Sequence, residues 1–150
     1  MRRAAVRVLL LDPAGRVLLL HVGGPAPYWF TVGGGLAPGE TPRGAAVREV
    51  AEETGHVLAA EALVGPGHAE VVELVLAGVA TRQEQDFYAA AAPSTDVDLS
   101  GLEPAERAVV DGARWWSADE LDATAEAFHP AGLAALLRAV LARPDLRVGC

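Results

Sequence analysis

Between Gly34 and His56 the chain reads GGLAPGETPRGAAVREVAEETGH, a glycine run leading into a helix whose two ends are both marked. Thr41 is placed to cap the N-terminus, Pro42 stands at the first helical position where a missing N–H costs nothing, and Gly55 supplies the left-handed residue that ends a helix. The spacing predicts a helix from Pro42 to Thr54. On it Glu49, Glu52 and Glu53 lie three and four residues apart, neighbours at roughly 5 to 6 Å between Cβ atoms, so these carboxylates share one side. Ala46, Val47 and Val50 fall on the side expected to pack on a sheet, leaving the acids to face the other way.

Crowded carboxylates repel by a few tenths of a kcal/mol per pair and resist ionising together. A solvated acidic helix face is the usual meaning of a charge run. Here the acids are not interleaved with bases, because Arg48 is the only cation between Gly44 and Gly55. Divalent cations that prefer oxygen ligands fit such a cluster, and Mg²⁺, usually held by a carboxylate or two together with substrate phosphates, fits best. Ahead of the helix, Gly33, Gly34 and Gly35 permit positive φ and close approach of backbone to a ligand, and a loop entering a helix N-terminus suits phosphate.

Loop and helix together resemble the Nudix box, G-x5-E-x7-R-E-U-x-E-E-x-G-U with U a bulky apolar residue. Gly34, Glu40, Arg48, Glu49, Glu52, Glu53 and Gly55 match its literal positions, and Val50 its first apolar one. His56 departs, standing where the last apolar residue belongs, with Val57 one place late. The motif covers 23 of 150 residues, and its many fixed positions make coincidence improbable.

The resemblance implies an α/β fold, a Nudix-type α/β/α sandwich with a mixed β-sheet. It implies a hydrolase dependent on Mg²⁺ or Mn²⁺ that cleaves the phosphoanhydride of a nucleoside diphosphate linked to another group, by attack of water on phosphorus. The substrate would be a small-molecule nucleotide: a nucleotide sugar, a nucleoside triphosphate or an oxidised nucleotide. Glu49, Glu52, Glu53 and the carbonyl of Gly33 are the implied metal ligands. Arg48 would hold the glutamates, and Glu40 would brace the loop against Arg48. Gly34, Gly35 and Trp29 are candidates for substrate contact. The alternative from another class is a non-catalytic Nudix-like module that senses a nucleotide, a reading weakened by the presence of every box acid. Family members are often dimers, and the apolar residues of the first hairpin are the candidate interface of a homodimer.

At 150 residues the length suits one domain, 1–150. The net charge of −8 disfavours a nucleic-acid duplex or an anionic membrane as partner, since both depend on basic patches. It does not disfavour a nucleotide, whose phosphates approach acidic protein through bridging metal. No apolar stretch approaches the 18 or so residues of a membrane span. Cys150 is the only cysteine, so no internal disulfide forms and a cytoplasmic location is expected.

Apolar runs predict strands at 5–11 and 16–22 joined by a turn at 12–15, a short strand at 29–32, and strands at 57–64, 71–80 and 86–92, with a hairpin turn at 82–85. A long polar connection at 93–112, with a turn of helix at 104–110, is of the length often used for function. A strand at 113–116, a capping box of Ser117 and Glu120, and an amphipathic helix over 129–143 complete the chain. The general base is either a box glutamate or an acid of the long connection, Glu103 or Glu106; Glu84 and Asp86 are outsiders. Tyr28, Trp29 and Phe30 are near enough to stack on a base, though strand aromatics are as often core. The two tryptophans at 115 and 116 read as packing. His21, His68 and His129 lack metal-ligand spacing. Residues that mark ADP-sugar, dinucleoside polyphosphate and coenzyme A hydrolases are not recognisable, which leaves the substrate open.

Overall fold

The computed structural model describes residues 1–146; Cys150 lies outside them. Strands β1 (Arg2–Leu11), β2 (Val17–Val22) and β3 (Tyr28–Gly35) precede helix α1 (Pro42–Thr54), and β4 (Val64–Leu76) and β5 (Val79–Ala91) follow it. Then come α2 (Pro104–Arg107), β6 (Val110–Trp116), α3 (Ala118–Ala123), β7 (Phe128–His129) and α4 (Leu133–Leu141). The sheet is mixed: β1 runs parallel to β5 and β3 to β7, and the remaining pairs are antiparallel.

Strand alternation sends β1 side chains to two cores. Val6, Val8 and Leu10 pack with Leu18, Val32, Ala45, Ala46 and Val50 under α1. Leu9 and Leu11 pack with Val17, Leu19 and Trp116 under α3 and α4, whose contributions are Leu121, Leu133 and Leu137. The expected α/β sandwich is therefore present, with α1 on one face and α3 and α4 on the other. The first-hairpin residues proposed as a dimer interface, among them Leu9, Leu11, Val17 and Leu19, are wholly buried in this core and offer no surface to a second copy.

β3 changes partner along its length. Tyr28 to Thr31 pair with β2, and Val32 to Gly35 pair with β1. At the change the backbones come close enough that a Cβ on Gly33, whose φ is +144°, would lie 2.0 Å from the Val6 carbonyl oxygen. Only glycine fits there.

Three elements differ from the sequence expectation. No strand forms over 57–63: Val57 is 81% exposed while Leu58 turns inward, and a short 3-10 turn at Ala60–Ala62 precedes β4. The apolar residue that packs comes two places late, at Leu58, and His56 bonds through Nε2 to the Asp96 carbonyl at 2.7 Å instead. The hairpin turn is at Ala77 and Gly78, both with positive φ (49° and 78°), not at 82–85, which pairs with β1 in mid-strand. Two residues of positive φ give the turn whose twist matches the strands. Finally, α4 is shorter than 129–143, because Phe128 and His129 pair with the edge of β3 first. Among the described residues no helix is long and apolar enough to cross a membrane.

Candidate active site

α1 is built as its sequence dictates. The Thr41 hydroxyl accepts from the Gly44 N–H at 3.0 Å, and Gly55, left-handed at φ 81°, donates to the Ala51 carbonyl at 3.0 Å. Its acids do not all turn to water, however. Glu53 is 0% exposed and Glu49 7%, on the flank of the helix that meets the end of β3, while Glu52 is half-buried. The expected split into one core face and one acidic face is thus wrong. The acidic row sits against the glycine strand, where Gly34 leaves room beneath the helix that a side chain would fill. A Cβ on Gly34 would stand 2.5 Å from Glu49 Oε1.

Arg48 gathers the loop and the acids. Its Nε donates to Glu40 Oε2 at 2.8 Å and its Nη2 to Glu40 Oε1 at 2.9 Å, a bidentate pair, and Nη2 also reaches the Gly35 carbonyl at 3.1 Å. Nη1 donates to Glu49 Oε1 at 3.1 Å and to Glu52 Oε2 at 3.2 Å. Glu40 further accepts from the Ala37 N–H at 2.9 Å. The Arg48 hydrogen bonds, helped by that N–H, hold the Glu40 carboxyl down at about 2. The same pair raises the Arg48 guanidinium above its ordinary value.

Glu53 follows opposite physics. Its Oε1 accepts from the Gly33 N–H at 2.7 Å, but Oε2 is buried with no partner. Burial pushes its carboxyl well up, against the pull of the Gly33 N–H and with a further push from Glu49. Burial raises Glu49 as well, opposed by Arg48. A buried, half-satisfied carboxylate is costly unless a cation neutralises it. Every donor atom at hand is a hard oxygen, the chemistry of a Mg²⁺ or Mn²⁺ site. Among the described residues no three acids converge as a ready cage: Arg48 draws Glu49 and Glu52 aside while Glu53 turns to Gly33. The residue types and the orphaned oxygen fit a divalent ion; the side-chain arrangement is one held by Arg48.

Beside this cluster opens a cavity of about 830 Å³. Tyr28 and Phe30, ring centroids 6.1 Å apart, line it together with Arg7, Gly33 and Glu106. Glu106 is half-buried, lines the cavity and lies near enough for its charge to push both Glu49 and Glu53 up; Glu103 is exposed and outside the cavity. Trp29 is not brought to the glutamates. It points to the opposite face of β3, 5.2 Å from the Trp116 ring and 4.5 Å from His21, with Nε1 donating to Glu126 at 3.3 Å. Two groups escaped the sequence reading. Arg43 donates to the carbonyls of Ala60, Leu63 and Gly65 at 3.1, 2.8 and 2.7 Å, tying α1 to the start of β4. Arg7 lies deep beside Gln83 and Gln85. In the alternation of β1 it falls on the same side of the sheet as Leu9 and Leu11.

The fold and this arrangement define a class of α/β sandwich in which an acid-bearing helix lies on a glycine strand of a mixed sheet. A NUDIX domain model matches residues 1–137, so the chain belongs to the Nudix family and is a Nudix hydrolase. Among solved structures it is similar to a NUDIX hydrolase from Nitrosomonas europaea at 25% identity, over 95% of this chain and 92% of that one, with a TM-score of 0.66. It is similar to an Ap4A hydrolase of C. elegans at 25% identity, over 93% and 96%, with a TM-score of 0.61. The fold is shared with the E. coli dihydroneopterin triphosphate pyrophosphohydrolase at 23% identity, over 82% and 86%, with a TM-score of 0.63. Comparison with curated proteins gives no match.

Proposed function

We propose that residues 1–150 act as a single hydrolase domain that cleaves the phosphoanhydride of a nucleoside diphosphate linked to another group, in the presence of Mg²⁺ or Mn²⁺. The observation that carries this reading is Glu53, a carboxylate wholly buried with one oxygen unpartnered, beside Glu49. Glu49, Glu52, Glu53 and the Gly33 carbonyl would hold the metal, which when bound draws charge from phosphate oxygens and lowers the pKa of a water. Arg48, fixed by Glu40, positions Glu49 and Glu52. Gly34 and Gly35 leave backbone open to the phosphates. Glu106, which lines the cavity beside the cluster, is favoured over Glu103 as the acid that takes the proton of the attacking water. Of the three aromatics that the sequence offers for stacking on a base, Tyr28 and Phe30 are the two assigned that role, since they line the cavity and Trp29 does not.

Incubation with nucleoside triphosphates and nucleotide sugars should release a nucleoside monophosphate only when Mg²⁺ or Mn²⁺ is added. Glu53→Gln keeps the volume and the bond from Gly33, so the fold should persist while turnover falls by about 10²-fold or more. Turnover undiminished in Glu53→Gln, or unaffected by chelation, would refute the assignment.

A further inference from the structure

The floor of the cavity carries a polar chain whose direction is fixed. Arg7, on β1, can only donate. Its Nε donates to Gln85 Oε1 at 3.3 Å and its Nη1 to the Thr31 carbonyl at 3.2 Å. The Gln85 amide must therefore turn its oxygen toward Arg7. That oxygen also accepts from Gln83 Nε2 at 2.9 Å, which sets the second amide in turn. What remains over is a defined pattern: N–H donors on Arg7, the NH₂ of Gln85 as donor, and the Oε1 of Gln83 as acceptor.

Among the described residues these leftover atoms have no partner, and yet Gln83 and Gln85 are only 3% and 7% exposed. Among the described residues the sole wholly buried side-chain polar atoms without a partner are Glu53 Oε2 and Trp116 Nε1. The unpaired atoms of the three side chains accordingly reach open space, and the cavity they line is that space. Burial lowers the Arg7 guanidinium, with Glu53 and Glu49 opposing, so Arg7 lies both deep and near the acids. It stands opposite Gly33 in the β1–β3 pairing, the residue whose N–H holds Glu53.

We propose, building on the hydrolase reading above, that Arg7, Gln85 and Gln83 read the base of the substrate and select a 6-oxopurine nucleotide of guanine type. A donor, donor, acceptor floor is met by acceptor, acceptor, donor on the ligand. Guanine presents N7, O6 and N1–H in that order, and arginine on N7 and O6 is the commonest guanine contact. Adenine presents acceptor, donor, acceptor and uracil does the same, so each sets a donor against a donor. Cytosine can match in reverse, but the pair of aromatic rings and the 830 Å³ volume suit a bicyclic base. A base oxidised at C8 carries a donor at N7 and opposes Arg7.

The test separates binding from turnover. With Mg²⁺ present, GMP should bind wild-type protein at least about tenfold tighter than AMP, CMP or UMP. It should also exceed 7-deaza-GMP, which lacks the N7 acceptor, and 8-oxo-GMP by about the same factor. Gln85→Leu, which removes the donor facing O6 and frees the Gln83 amide to turn, should erase the preference for GMP over AMP and bring kcat/KM for GTP to that for ATP. If that variant fails to fold, the 7-deaza comparison on wild-type protein decides. Equal binding of the four monophosphates, a preference for CMP, or 7-deaza- or 8-oxo-GMP binding as tightly as GMP overturns the proposal. Turnover without base preference removes it and leaves the hydrolase standing; selective GMP binding without turnover supports it and removes the hydrolase reading.

Discussion

Arg48 and Glu40 show what a pair of side chains contributes when its geometry is good. Both guanidinium donors meet one carboxylate, and the Glu40 carboxyl falls to about 2 from 4.5. A group whose folded pKa is depressed adds stability that is whole above the unfolded value and is lost as pH falls through the folded one. The stability difference between wild type and Glu40→Gln, measured by urea unfolding, should therefore be flat above about pH 5 and shrink steadily toward pH 2. Arg48→Lys keeps a charge but not the fork, and should lower turnover by roughly 10- to 100-fold, the usual cost of a group that orients ligands. The spacing of the box made Glu40, Arg48 and the three helix acids legible in the sequence. It did not show that Glu53 would be buried with an orphaned oxygen, because burial depends on the glycine strand lying under the helix, a contact between elements that a local pattern does not contain. Arg7 was missed for a related reason: a lone charge in an apolar strand looks like a solvent-facing residue until the sheet has a second covered side.

Elements were legible where their ends carry chemistry. The helix at Pro42–Thr54 and the capping box at Ser117 and Glu120 form at the expected residues, since a cap is a local hydrogen bond. The β4–β5 turn was misplaced because Ala77 does not announce positive φ as asparagine or glycine would. Ala77→Asn should on that account raise stability by up to about 1 kcal/mol, read as a higher urea midpoint at unchanged slope. Helix α4 adheres through Leu133 and Leu137, both 0% exposed. Leu137→Ala should cost about 2 to 5 kcal/mol in the same assay while the folded protein keeps its metal-dependent turnover, because that core lies across the sheet from the glutamates.

For the molecule as a whole, net charge and fold act together. A protein of charge −8 holds several carboxylates around one buried spot, and in the absence of a cation that arrangement works against folding. Ligand linkage then gives the expected response. Mn²⁺ at a hundred times its dissociation constant should stabilise the protein by about 2.7 kcal/mol, seen as a rise in thermal midpoint that EDTA reverses and Glu53→Gln abolishes. A midpoint indifferent to both metals would count against the acids as a cation site.

β3 carries Phe30, which lines the cavity, and Gly33, which anchors Glu53, three residues apart on one extended stretch. At about 3.3 Å per residue that is a rigid gauge of about 10 Å between the place where a ring would rest and the place where a bond would break. The enzyme would then sort candidates by reach as well as by lettering: a molecule whose ring and scissile bond stand much nearer together or farther apart than this gauge would not meet both places at once.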